Sequence, residues 1–473
     1  MQTAIPQEFK DYAEKLLGEE RYGRFEQALY DSPSVSVRMN TNKVRKIFTP
    51  SECLEYDTVV PWATAGFYLK SRPSFTSDPL FHAGGYYVQE ASSMFVERVL
   101  QEYVKEPVMM LDLCAAPGGK STLCRTALPE GSLLVANEVM RNRSQILAEN
   151  LIKWGCPDVV VTNNDPADFT ELTHLFDVIL TDVPCSGEGM FRKDQVAVDE
   201  WSVENVDVCW RRQRRILADI WPTLKPGGIL IYSTCTFNRE EDEDNVSWIA
   251  KELGADVLPV SVEEDWGITG NLVGKDFPVY RFLPHRTKGE GFFLAVLRKH
   301  EGELEKIALR SEKKKKGKDN KQPLVVPKEA KSWLKNSSAY SYVMKDANVV
   351  AFPKAYEQEY VLLQHYLKVI HAGVTLTKIK GKDLIPHHSL AMSTELMEGV
   401  FPTAELSYEQ AIAYLRKEGL VLDADISRGY VLVTYQQIPL GFVKNIGNRA
   451  NNLYPQEWRI RSGYLPEEIV CVF

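Results

Sequence analysis

"VMMLDLCAAPGGKS", Val108 to Ser121, is the stretch that decides the fold. A short, wholly apolar run reaches Asp112 and breaks into a loop carrying a glycine pair, Gly118 and Gly119. Strands buried on both faces read as continuous apolar runs, and glycines after such a strand let backbone amides approach a ligand. The loop is neither G-x-G-x-x-G nor G-x-x-x-x-G-K-[ST], because the upstream glycine is missing, so a nucleoside triphosphate is a poor guess. Similar runs follow in "LLVANE" (Leu133 to Glu138), "VVVTNND" (Val159 to Asp165), "FDVILTD" (Phe176 to Asp182) and "GGILIYST" (Gly227 to Thr234). Amphipathic segments separate them, so the expectation is an α/β fold, a mostly parallel sheet with helices on both faces. "VYRFLPH" and "GFFLAVLRK" then predict an antiparallel hairpin at the sheet edge.

The chain has 473 residues, and at about 100 to 200 per domain it should hold two to four. Its net charge of −8 argues against a protein coated in positive charge, though not against local patches. No apolar run approaches the ~20 residues of a membrane span, and the N-terminus lacks a secretory pattern. A cytoplasmic protein is expected. Its eight cysteines contain no C-x-x-C pair, so zinc is not suggested and each thiol is by default a small buried hydrophobe.

Before the sheet lies a helix-rich start followed by "SVRMNTNKV" and "GFYLK", which read as a small N-terminal α/β module over 1–105. The catalytic candidate spans 106–300. "LRSEKKKKGKDNKQP", Leu309 to Pro323, marks a charged linker over 301–328, with a phosphate-attracting tether as the rival reading. A helical or mixed region is expected over 329–395, with a helix in "YVLLQHYLKVI". The last unit, 396–473, opens with a helix in "SYEQAIAYLRKEGL" and ends in an alternating segment suited to a small sheet or barrel.

Three acids end successive strands: Glu138, Asp165 and Asp182. Singly each could cap a helix, but together they suit an adenosine-type cofactor, with Glu138 on the ribose and Asp165 near the adenine amino group. Two cysteines stand past neighbouring strand ends, Cys185 in "TDVPCSG" and Cys235 in "STCT". In a doubly wound sheet these tips face one crevice. A lone strand-end thiol would read as core, whereas a pair could serve nucleophilic catalysis.

"DLCAAPGGKS", "TDVPCSGEGMFRK" and "YSTCTFNREEDE", in this order, resemble the Sun/Nop-type RNA 5-methylcytosine methyltransferases. "DPLFHAGGYYVQEASSM" and "GEGFFLAVLRK" match as well, and "GFVKNIGNRANNLYPQEWRIR" resembles the PUA-like RNA-binding domain of the bacterial RsmF branch, which methylates small-subunit ribosomal RNA. The resemblance implies a Rossmann-like methyltransferase domain between an N-terminal RNA-binding module and a C-terminal PUA-like domain. It implies S-adenosylmethionine as cofactor, held by Cys114, Ala115, Ala116, Pro117, Gly118, Gly119, Lys120, Glu138, Asp165 and Asp182. It also implies Cys235 as the nucleophile that adds to carbon 6 of cytosine and Cys185 as the helper in product release. Asp182 is a candidate for stabilising charge on the base, and Lys120 for favouring a thiolate. The expected partner is 16S ribosomal RNA, free or in an assembly intermediate, with a monomeric enzyme and neither metal nor membrane. Three rivals stand beside this reading. Cys185 could be the attacking thiol, transfer RNA could be the substrate, or the chain could be a ribosome-assembly binding protein without turnover.

Weaker signals are "WRRQRR" (Trp210 to Arg215), a phosphate-binding candidate against a solvated helix face, and Lys444, Arg449, Arg459 and Arg461 with Tyr454 and Trp458, a mix of cations and aromatics suited to RNA. Arg38, Asn40, Gln89 and Glu90 fit structural hydrogen bonding. His387 and His388 read as turn residues, and Glu240 to Asp244 as an acidic helix start.

Overall fold

The computed structural model describes residues 5–44, 56–303 and 326–463. The lysine run 309–323 lies outside them. The N-terminal module has a small antiparallel sheet of β1 (Val35–Met39), β2 (Tyr56–Val59), β3 (Gly66–Leu69) and β4 (Tyr86–Val88), ordered β2-β3-β1-β4, and two preceding helices, Gln7–Leu17 and Glu19–Leu29, whose buried faces pack on Trp201, Val206, Phe237 and Leu283.

The central sheet is built from β5 (Met109–Asp112), β6 (Leu133–Asn137), β7 (Val159–Thr162), β8 (Phe176–Asp182), β9 (Leu224–Thr234), β10 (Ala255–Leu258), β11 (Tyr280–Phe282) and β12 (Phe292–Lys299). Strands β9-β8-β5-β6-β7 run parallel, as their apolar runs predict. Side chains alternate along these strands between two buried clusters. Met110, Leu134 and Ala136 face one layer of helices, Gly119–Ala127 and Arg141–Trp154. Met109, Leu111, Leu133 and Val135 face the other, which includes Val203–Ile220. This period-two division is why every residue of β5 and β6 is buried.

The predicted hairpin forms, with β11 antiparallel to β12. It does not own the sheet edge, because β10 pairs with the far half of β12. At the opposite edge the sheet is extended by β15 (Val369–Ala372), antiparallel to β7. The helix expected in "YVLLQHYLKVI" therefore stops at Tyr366, and its last apolar residues belong to a strand. Around this strand the region after the linker is mainly β, a four-stranded antiparallel sheet of β13 (Tyr340–Lys345), β14 (Asn348–Pro353), β16 (Val374–Lys380) and β17 (Asp383–Pro386). The C-terminal unit orders β18 (Thr403–Glu405), β19 (Gly429–Tyr435), β20 (Ile438–Asn445) and β21 (Ala450–Asn452) in sequence, with the helix Tyr408–Leu415 against them. No described helix is long and apolar enough to cross a membrane.

Candidate active site

The chain builds the sheet outward from β5 in one direction through β6 and β7, then returns to the other side of β5 with β8 and β9. The carboxyl ends of β5 and β8 are thus the switch point where open α/β sheets bind ligands. Residues 113–118 leave β5 there. Gly118 adopts φ +115° and the helix Gly119–Ala127 starts directly after it. That left-handed conformation favours glycine, and a Cβ at Gly119 would stand 3.3 Å from the Tyr87 ring.

Across this crevice lie the two cysteine loops. Cys185 Sγ is 2.9 Å from Cys235 Sγ, and the backbone N–H of Cys235 donates to Cys185 Sγ at 3.4 Å. Both residues are half-buried and neither is in a disulfide. The contact with Cys235 and burial together push the Cys185 thiol well above its ordinary range, so Cys185 keeps its proton. Beside the pair, Lys120 Nζ donates to Asp182 Oδ2 at 2.8 Å, and Ser233 Oγ donates to Asp182 Oδ1 at 2.9 Å. Burial works against the Lys120 charge, but Asp182 outweighs it and the ammonium is held above its usual value. Below, Asp112 is fully buried, accepts from Ser121 Oγ at 2.6 Å, and is pushed up to about 7 by desolvation.

Glu138 at the tip of β6 is buried. It accepts from the Met140 N–H at 2.8 Å and lies 3.4 Å from Arg143. Asp165 is partly exposed, caps the short helix Pro166–Phe169 with a capping box, and stands 3.6 Å from Arg215. The helix-cap role, one alternative for each acid, is therefore real for Asp165. An adenosine-type cofactor fits this donor set. The glycine loop brings bare backbone to the crevice, and the Glu138 carboxylate, anchored by the Met140 N–H and Arg143, would be the acceptor for the hydroxyls of a ribose.

Glu240 to Asp244 departs from a plain acidic helix start. The helix Glu243–Trp248 does begin there, but Glu241, Asp242 and Glu243 are fully buried. Arg281 forms a salt bridge with Asp242 at 3.0 Å and a bidentate pair with Glu243, and also donates to the Phe237 carbonyl. Glu241 accepts from Ser186 N–H at 3.1 Å, Asn238 Nδ2 at 2.7 Å and Gln213 Nε2 at 2.6 Å. Glu188 accepts from Phe237 N–H at 2.7 Å, Trp201 Nε1 at 3.0 Å and Asn238 Nδ2 at 3.0 Å. These carboxylates lace the two cysteine loops together. Gln213 carried a usable signal, since Val206, Cys209, Gln213, Ile216, Leu217 and Ile220 form one apolar helical stripe with a single amide in it.

The remaining candidates sort by burial. In "WRRQRR", Arg211 pairs with Asp207, Arg215 with Asp165, and Arg214 lies over the Trp210 ring at 4.1 Å and donates to Asn245. Arg38 is buried against Gln89, Thr122 and the Trp154 ring, and Asn40 donates to the Gly84 and Trp154 carbonyls. Glu90 accepts from the N–H groups of Ser93 and Glu290. Tyr454 is fully buried against Tyr414 and His388, so its ring is core and not a base-stacking platform. His387 caps the helix His388–Met392, and His388 is buried beneath it rather than exposed in a turn. Among the described residues no His, Cys, Asp or Glu cluster could hold a metal.

A parallel core with its ligand loop at the β5/β8 switch point defines a Rossmann-like methyltransferase. A methyltransferase homologue from Pyrococcus horikoshii superimposes with a TM-score of 0.53 at 30% identity, over 63% of this chain and 96% of the other. NSun6 from Pyrococcus horikoshii, at 21% identity, shares the fold with a TM-score of 0.53 over 64% of this chain and 100% of its own. Residues 99–298 match the family described as 16S rRNA methyltransferase RsmB/F, residues 5–91 the N-terminal domain of 16S rRNA methyltransferase RsmF, and residues 401–460 the methyltransferase RsmF PUA domain. Ribosomal RNA small subunit methyltransferase F of Klebsiella pneumoniae (strain 342) is 30% identical over 91% of both chains, and that of Aeromonas salmonicida (strain A449) is 31% identical over 89% of this chain and 90% of its own. The chain belongs to the RsmF family of S-adenosylmethionine-dependent 16S rRNA methyltransferases.

Proposed function

We propose that this chain methylates carbon 5 of a cytosine in 16S ribosomal RNA, with Cys235 adding covalently to carbon 6 and Cys185 assisting release. The observation that carries this reading is the pair of thiols 2.9 Å apart beyond β8 and β9, beside the Lys120–Asp182 ion pair. Carbon 5 of cytosine is a poor nucleophile. When the Cys235 sulfur bonds to carbon 6, the ring double bond becomes an enamine whose electron pair lies on carbon 5. Residues 114–120 with Glu138, Asp165 and Asp182 would hold S-adenosylmethionine, whose sulfonium would give up its methyl group to carbon 5 and leave as the neutral thioether S-adenosylhomocysteine. Water takes the proton from carbon 5, the freed electron pair restores the double bond and expels Cys235 as thiolate, and the Cys185 S–H, 2.9 Å from that sulfur in the free chain, donates to it as it leaves.

Only a thiolate attacks, and in this reading the Cys185 thiol, raised by its contact with Cys235 and by burial, keeps its proton while Cys235 bonds to carbon 6. In this reading the Lys120 charge stabilises a thiolate at the site, and Asp182, whose oxygens take Lys120 and Ser233, has the further role of hydrogen-bonding the ring nitrogen or amino group of cytosine. The target base must leave its stack, which is least costly in single-stranded or loop RNA.

Denaturing gels of the Cys→Ser variants incubated with unmethylated 16S ribosomal RNA and S-adenosylmethionine test this. Cys185→Ser should accumulate a covalent RNA adduct, and Cys235→Ser should form none. The opposite pattern would make Cys185 the attacking thiol.

A further inference from the structure

We propose that Glu241 is a positioning residue that holds Cys185 in register with Cys235 for the release step. The inference rests on the division of labour between the thiols given above. Cys185 sits in a turn pinned on both flanks by one buried group. Before it, the Pro184 carbonyl accepts from Gln213 Nε2 at 3.1 Å; after it, the Ser186 N–H donates to both oxygens of Glu241, at 3.1 and 3.3 Å. Gln213 Nε2 also donates to Glu241 Oε2 at 2.6 Å, so both anchors converge on this carboxylate. Through Asn238 Nδ2, at 2.7 Å, Glu241 is joined to the loop of Cys235 as well.

The site calls for a group that only accepts, because the Glu241 side chain takes the Ser186, Gln213 and Asn238 N–H groups and is also hydrogen-bonded by the Ser186 hydroxyl. Neither neighbouring amide can turn round to offer oxygen. Gln213 Oε1 accepts from Tyr232 Oη at 3.2 Å and Asn245 Nδ2 at 2.7 Å, and Asn238 Oδ1 accepts from the Glu241 N–H at 2.9 Å. Burial, and after it the Glu188 carboxylate, push Glu241 up to about 7; above that pH the ionised carboxyl meets the demand, whereas an amide sets donor against donor in a buried place at any pH. Glu188 anchors the other side, at Phe237 two residues beyond Cys235. Loss of Glu241 therefore loosens Cys185 while leaving a separate tie on Cys235.

The test is E241Q in the full chain, assayed with S-adenosylmethionine and unmethylated 16S ribosomal RNA, naked and in 30S particles. The expected result is a kcat at least about tenfold lower with KM for RNA within about twofold, since a positioned reacting group acts on the chemical step. A covalent RNA adduct should build up as in C185S. E241D, which still only accepts, should recover part of the turnover. Q213L removes the Pro184 anchor but keeps the carboxylate, and should show the same adduct more weakly; it carries the test if E241Q does not fold. Wild-type turnover in a folded E241Q, or lost turnover with no adduct in E241Q and Q213L, overturns the proposal. If C185S itself yields no adduct, the underlying division of labour fails. If C185S yields one and E241Q does not, only the role of Glu241 fails.

Discussion

Asp112 ends the first strand of the parallel core with one oxygen held by Ser121 and the other without a partner among the described residues. Burial raises its carboxyl from the ordinary 3.8 to about 7. Between those values the folded chain binds a proton that the unfolded chain releases, so this group's contribution to stability falls as pH rises through that window. Asp112→Asn removes the titration. Its unfolding free energy, from urea melts at pH 5.5 and 8, should fall less with rising pH than that of the wild type. At the neighbouring ion pair the effect is on rate. Lys120→Met takes away the cation beside the thiols and leaves Asp182 paired only with Ser233. Removing one fixed electrostatic group from an active site lowers kcat by about 100-fold. Rapid-quench measurement should locate that loss in formation of the RNA adduct, with RNA affinity little changed.

The loop elements hold backbone to backbone where glycines permit it. Gly189 N–H donates to the Cys235 carbonyl at 2.8 Å, and a Cβ at Gly189 would stand 2.5 Å from the Gly291 carbonyl and 2.9 Å from that of Cys235. These are backbone atoms, so Gly189→Ala must push the two loops apart. The expected cost is about 1–3 kcal/mol of stability, as for other overpacked sites, with methylation falling far more than thermal stability; melting curves and single-turnover assays read the two. Such contacts also mark where the sequence is legible. Strands β5 to β9 could be read because burial on both faces makes them plain apolar runs, and the cysteines could be read because they follow strand ends. Strands β10 and β15 could not, since "ADVL" and "VIHA" are short edge segments whose pairing is decided by distant partners. Glu241, Asp242 and Glu243 read as part of an acidic helix start, and nothing local to the run marks them as buried, since acids usually are not. Only the arrival of Arg281 and Gln213 from elsewhere in the chain, together with the nearby Asn238, makes their burial tolerable.

Across the whole molecule, the units do not behave as beads on a string. Strand β15 covers the edge of the central sheet, with Val369, His371 and Ala372 opposite Thr162, Val161 and Val160. From the same region Phe352, Tyr360, Leu363 and Leu367 share one buried cluster with Val160, Phe169 and Leu172 of the catalytic domain. The N-terminal module joins the C-terminal sheet in another cluster, Val37, Met39 and Tyr86 with Val431, Val433 and Val443, and Tyr408 Oη donates to the Ser77 carbonyl at 3.0 Å. A chain cut after residue 303 would bare the backbone of β7 and an apolar face at once, and such an open edge invites pairing between molecules. The truncated chain, although it keeps both thiols and the whole cofactor loop, should therefore melt well below the full chain and elute as aggregates on size-exclusion chromatography. A better probe of the C-terminal sheet's part in RNA binding is Arg449→Glu with Arg459→Glu, since both positions are exposed. If that face meets phosphates, RNA affinity drops and its salt dependence flattens while the melting temperature holds; equal affinity at every salt concentration would place the RNA contacts elsewhere.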